Sequence, residues 1–127
     1  MIQRPLVLLI DDNASVRQSL TRVLSSENFG VVAAANGEEA LRGCGENPID
    51  IVLLDQELGR ESGWDTLEQL RKMQPRLPVI LMTARPGERP ARSTQDVEAL
   101  MVKPLDLPLL FQTLGDLAAQ KQKAPLT

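Results

Sequence analysis

The chain has 127 residues, a formal net charge of −3, 43% hydrophobic and 24% charged residues, one cysteine and no histidine; this suits one domain that builds its core without metal or disulfide support. The missing histidine excludes Ser-His-Asp and Cys-His catalysis and the usual zinc sites, while the lone Cys44 excludes an internal disulfide and suits a reducing cytosol. Only 2% aromatics and a slightly acidic balance argue against direct nucleic-acid binding, and the absence of a signal-peptide pattern or a spanning apolar run predicts a cytoplasmic protein without membrane insertion.

In chain order, two kinds of segment alternate. Residues 6–10 form a continuous apolar run that stops at Asp11-Asp12. A helical stripe follows, made of Val16, Leu20, Val23 and Leu24, with Asn13 or Ser15 as its cap. A second apolar run, 31–35, ends at the turn signal Asn36-Gly37 and leads into a shorter stripe of Ala40, Leu41 and Cys44, whose thiol reads as buried. The third run, 51–54, is stopped by Asp55; Leu67, Leu70 and Met73 then form a stripe on a helix that Trp64 opens in a packing role. The fourth, 79–82, is stopped by Thr83, and the connection 85–96, with Pro86, Gly87 and Pro90, predicts a short or irregular fourth helix or mostly loop. The fifth, 99–102, is stopped by Lys103-Pro104, before a last helix lined by Leu110, Phe111, Leu114, Leu117 and Ala118 and opened by Asp106 and Pro108.

Short apolar runs without alternation predict strands buried on both faces of a parallel sheet. Five βα units in series predict an α/β, doubly wound architecture, in which ligands bind beyond the carboxyl ends of the strands. Those ends carry Asp11-Asp12, Asp55, Thr83 and Lys103. Three carboxylates brought together repel, and a divalent cation makes their proximity tolerable. Oxygen-only ligands without histidine or cysteine favour Mg²⁺. A cation held by carboxylates beside an ammonium and a hydroxyl suits phosphoryl transfer, with Asp55 as a nucleophile that needs no general base.

From Leu6 to about Leu117 the chain resembles the receiver domain of two-component response regulators, the CheY-like superfamily. The motifs that carry the resemblance are Asp11-Asp12, then Leu53-Leu54-Asp55 with Leu58 and Gly63 following, then Thr83-Ala84, then Lys103-Pro104. It implies a flavodoxin-like (βα)₅ fold with a parallel five-stranded sheet of order 2-1-3-4-5. It also implies Asp55 as phosphoacceptor, Asp12 as direct Mg²⁺ ligand, Asp11 as an acid acting mainly through water, and Glu57 as the donor of a backbone carbonyl to the metal. Thr83 matches the switch hydroxyl and Lys103 the lysine that contacts the phosphoryl group, with a cis Lys103-Pro104 bond. The implied partner is a sensor histidine kinase or phosphotransfer protein, with an unidentified downstream effector and room for a homodimer. The chemistry implied is Mg²⁺-dependent self-phosphorylation and self-dephosphorylation rather than turnover of a separate substrate.

Three positions depart from the family pattern. Leu100, three before the lysine, replaces the usual Tyr or Phe of the switch. Gly59 replaces a common Pro, which should loosen the loop after Asp55. The 85–96 connection replaces a well-formed fourth helix. Leu100 and that connection favour the alternative reading, a phosphorylation-independent protein-interaction module; the set Asp11, Asp12, Asp55, Thr83 and Lys103 favours the receiver. The domain is expected over 1–120, with 121–127 as a tail or the start of a linker.

Overall fold

Alternation within the apolar runs decides which layer each side chain joins. In the computed structural model, which describes residues 4–84 and 97–122, the first strand, β1 (Leu6–Ile10), sends Leu8 and Ile10 to one face and Val7 and Leu9 to the other. The same division holds in β3 (Ile51–Asp55), where Val52 and Leu54 oppose Ile51 and Leu53, and in β6 (Val79–Thr83), where Val79 and Leu81 oppose Ile80 and Met82. Each side chain is fully withdrawn from water, a transfer that contributes roughly 1.5–3 kcal/mol for a residue of this size. A strand that must be apolar on both faces reads as an unbroken run, which is why the pattern carried no alternation.

The remaining strands of the main sheet are β2 (Gly30–Ala34) and β7 (Ala99–Val102), and its order is β2-β1-β3-β6-β7, parallel throughout. In order of sequence this is the 2-1-3-4-5 arrangement of a flavodoxin-like fold. The expectation of burial on both faces fails at these two edge strands. Ala33 is exposed in β2, and Leu100 and Val102 are each 44% exposed in β7. An edge strand has a neighbour on one side alone, so fewer side chains cover it.

Helices cover both faces. On one side α1 (Ala14–Ser26) and α4 (Leu107–Gln122) place Leu20, Leu24, Leu110 and Leu114 against β1, β3 and β6. On the other, α2 (Gly37–Glu46) and α3 (Gly63–Met73) place Ala40, Cys44, Leu67 and Leu70. Asn13, not Ser15, caps α1, its side chain accepting the Val16 N–H at 3.1 Å. Asp106 accepts the Leu109 N–H at 3.1 Å and so opens α4, which runs on to Gln122. Met73, expected on the apolar stripe of α3, is instead 45% exposed at its last turn. The irregular fourth connection expected over 85–96 lies outside the described residues.

One element had no counterpart in the strand pattern. Directly after Asp55 the chain forms a small antiparallel pair, β4 (Glu57–Leu58) with β5 (Glu61–Ser62). Gly59 takes φ +63° in its two-residue turn, a conformation that proline cannot adopt and that suits glycine at the first central position. The substitution expected to loosen this loop thus gives it a hydrogen-bonded hairpin. Buried Leu58 anchors that hairpin in the layer beneath α3.

Candidate functional site

Parallel pairing brings the carboxyl ends of all five strands to one edge of the sheet, and the chain's acids, hydroxyl and lysine collect there. Asp11 follows β1 and is completely buried. Its Oδ1 accepts the Asn13 N–H at 2.9 Å, and its backbone carbonyl accepts Arg17 Nη1 at 2.8 Å. Asp12 is exposed beside it. Asp55, the last residue of β3, is buried, with Oδ1 accepting the Glu57 N–H at 3.0 Å. One carboxylate oxygen from each of Asp11, Asp12 and Asp55 lies within 4.8 Å of the others.

Lys103 completes the cluster from the far strand. Its Nζ donates to Asp11 Oδ2 and Asp55 Oδ2, both at 2.9 Å. Lys103 reaches them from the end of β7, where its N–H bonds the Thr83 carbonyl at 2.8 Å and the Lys103-Pro104 peptide is cis. Thr83 ends β6 in a buried position, one residue beyond the register partner of Asp55, Met82. Thr83 and Lys103 are therefore joined through their backbones at the end of the sheet. Leu100, by contrast, pairs with Leu81 three residues before the lysine and turns its side chain outward.

The electrostatics follow from this crowding. Burial pushes the Asp55 carboxyl above its ordinary 3.8, and the negative charge of Asp11 adds to that; the Glu57 N–H and Lys103 pull the other way without cancelling it. Burial also disfavours the Lys103 ammonium, but its bonds to Asp11 and Asp55 outweigh that and hold its pKa above 10.5. The lysine therefore remains a cation between two acids. It balances part of their charge, and the third acid, Asp12, leaves a net negative cluster. Three hard oxygen donors of this kind fit Mg²⁺, which takes one or two carboxylates and keeps several waters.

The site also contains residues that the sequence pattern did not single out. The Glu61 carboxylate in β5 accepts the Gly37 N–H at the start of α2, at 3.0 Å. A pair 24 residues apart leaves no periodic signal. The turn did leave a signal that the reading of Gly59 as a loosening residue passed over: Leu58-Gly59-Arg60-Glu61 has glycine at the first of two central positions. Arg17 lies one helical turn beyond the cap of α1, where an arginine reads as an ordinary surface residue.

The family model for the response regulator receiver domain matches residues 7–114. Among curated proteins, the transcriptional regulatory protein GlrR of Escherichia coli is 35% identical over 124 residues, which is 95% of this chain and 27% of that protein. Response regulator MprA of a Mycobacterium species is 36% identical over 103 residues, 80% of this chain and 45% of that protein. The chain thus spans between about a quarter and a half of the length of these relatives. Among solved structures, the response regulator TrrA of Thermotoga maritima in complex with Mg²⁺-BeF superposes with a TM-score of 0.81 at 29% identity, covering 89% of this chain and 98% of that one. A receiver domain protein of Methanospirillum hungatei gives a TM-score of 0.83 over 97% of this chain and 100% of that one, at 21% identity that speaks for the fold alone. A match across 7–114, with relatives this similar along most of the sequence, means that the chain belongs to the response regulator receiver domain family of two-component signalling.

Proposed function

We propose that this receiver accepts a phosphoryl group on Asp55 from a phosphohistidine of a sensor histidine kinase or phosphotransfer protein, and that Mg²⁺ is the cofactor. The observation that carries this reading is the pair of 2.9 Å contacts from Lys103 Nζ to Asp11 and Asp55, within a cluster that Asp12 completes. Asp11, Asp12, Asp55 and the backbone carbonyl of Glu57 would hold the cation. When bound, Mg²⁺ neutralises charge on the phosphoryl oxygens as it is transferred. A carboxylate oxygen of Asp55 attacks phosphorus, the P–N bond to the donor imidazole breaks, and its electron pair stays on nitrogen. The product is an acyl phosphate on Asp55, whose hydrolysis returns phosphate. The Glu57 N–H fixes the plane of the carboxylate before attack, and Lys103 offers positive charge to the incoming group.

The donor needs a place to sit. A groove of about 600 Å³ runs along Ser15, Val16 and Leu20 of α1 and Lys103, Pro104 and Leu105. It is mainly apolar, and Lys103 in its wall also bonds Asp11 and Asp55, which supports it as a seat for the donor protein next to the acid cluster. The solved complex of the histidine kinase ThkA with TrrA involves a regulator 29% identical to this chain.

Thr83 would read the modification by donating its hydroxyl to a phosphoryl oxygen. A hydrogen bond to a charged group contributes about 1.5–3 kcal/mol, whereas taking an equilibrium from 1:99 to 99:1 needs roughly 5.5 kcal/mol. The backbone bond from Lys103 to Thr83 lets the lysine supply part of the remainder. The receiver unit in this reading is 1–120, with 121–127 as tail or linker, although α4 continues two residues past that limit. The protein works in the cytoplasm, where the donor kinase presents its phosphohistidine.

Incubation with Mg²⁺ and a small acyl phosphate donor, followed by intact mass, tests the proposal. One phosphoryl group added to the wild type and none to Asp55→Asn is the expected outcome. A chain that gains no phosphate from any donor, and no beryllofluoride, is an interaction module on a receiver fold, the reading that outward-facing Leu100 favours.

A further inference from the structure

We infer that Glu61 is a positioning residue for the cation site: it ties the hairpin that carries Glu57 to the first turn of α2, and so holds the Glu57 backbone in place for Mg²⁺. The inference rests on the reading of Asp11, Asp12 and Asp55 as the cation-binding acids. The hairpin is fixed at its base by the Gly63 N–H on the Gln56 carbonyl at 2.7 Å, and near the phosphoacceptor by the Glu57 N–H on Asp55 Oδ1 at 3.0 Å. Its turn passes over the cluster: a Cβ on Gly59 would stand 3.5 Å from Asp12 Oδ2.

β4 and β5 pair with each other and not with the main sheet, and β5 is held at its Ser62 end by the start of α3, so a second attachment at its turn end would steady the hairpin. Glu61 supplies it. Its Oε2 accepts the Gly37 N–H at 3.0 Å, one of the donors at the N-terminus of α2 that has no partner within the helix. The contact is charge-assisted and lies at the positive end of the helix dipole. The approach depends on glycine, since a Cβ at position 37 would lie 2.8 Å from Thr66 Oγ1 and 3.4 Å from Glu61 Oε2. The helix also has a cap of its own: Asn36 Oδ1 accepts the Glu39 N–H at 2.9 Å, and Glu39 Oε1 reaches back to the Ala35 N–H, just before the cap, at 2.8 Å. Capping of α2 is thus already provided from within, and the Glu61 contact adds a cross-link between α2 and the loop beside Asp55.

A cross-link that favours the cation-binding shape of the loop must itself be favoured by the cation, because coupling between two events is reciprocal. The test is an amide-resolved NMR titration with Mg²⁺ on the wild type, Glu61→Ala and Glu61→Gln, with Gly37 amide exchange measured before metal is added. In Glu61→Ala the Gly37 amide should exchange faster and the Mg²⁺ dissociation constant should rise about twofold to tenfold, the equivalent of one hydrogen bond. Glu61→Gln keeps an acceptor oxygen and should recover most of both. An unchanged Mg²⁺ affinity in Glu61→Ala, with or without a lower melting temperature, reduces Glu61 to a cap on α2 and overturns the inference. A wild type that does not bind Mg²⁺ at all is a different failure: it removes the cation-site reading, and this inference with it.

Discussion

Asp55 and Asp11 place two carboxylates in a space with little water, and Lys103 alone cannot remove the cost. Burial, reinforced by Asp11, holds the Asp55 carboxyl above its usual range in the folded chain. A raised folded-state pKa means that stability is greatest where Asp55 is protonated in both states, below about 3.8, and is lost as pH rises through the folded value. Asp55→Asn removes that charge while keeping the shape and an acceptor for the Glu57 N–H. In metal-free buffer near neutral pH the variant should therefore melt higher than the wild type. The difference should close as pH falls toward 3.8 and below. Thermal melts of both proteins across that range check it, and a wild type more stable than Asp55→Asn at neutral pH would show that Lys103 outweighs burial after all.

At the scale of elements, the hairpin between Asp55 and α3 depends on one close approach. A Cβ on Gly63 would sit 2.3 Å from the Asp55 carbonyl oxygen and 2.9 Å from Gln56 Cα, both backbone atoms that cannot swing aside. Gly63→Ala should therefore push α3 away from β3 and cost about 1–3 kcal/mol in urea unfolding, the usual range for overpacking. It should also weaken Mg²⁺ binding, because the Gly63 N–H closes the base of the hairpin. An alanine variant of wild-type stability would mean that the helix start shifts without cost. The five strands of the main sheet, by contrast, were legible in the sequence because each is short and apolar and four are stopped by a polar residue; the second, expected over 31–35, runs one residue earlier, Gly30–Ala34. The same runs could not distinguish the central strands from the edges: 99–102 is as apolar as 79–82, yet its position in the sheet leaves Leu100 and Val102 half in water. Met73 misleads for a related reason, since helical spacing identifies a face but not where along the helix the core stops covering it.

For the whole molecule, the candidate site was legible because a parallel sheet converts strand ends into neighbours. Asp11 and Lys103 are 92 residues apart, yet the topology brings the strand ends that carry them to one edge of the sheet. Sequence spacing could not show that Lys103 bridges two acids, nor that Glu61 reaches α2, because such contacts depend on side-chain reach and not on periodicity. The same arrangement links cation binding to global stability. On the proposed reading, Mg²⁺ held by acids that only the fold brings together would bind the native state and not the unfolded chain, and at one hundred times its dissociation constant it would add about 2.7 kcal/mol. Asp12 isolates this effect, being exposed and outside the Lys103 bridge. Without metal, Asp12→Asn should unfold within about 0.5 kcal/mol of the wild type, as for other surface substitutions. With Mg²⁺ the wild type should gain stability along the binding curve while the variant lags, because one of the acids proposed to hold the cation has lost its charge. Urea unfolding at a series of Mg²⁺ concentrations measures both slopes, and parallel gains in the two proteins would place the cation somewhere other than this cluster.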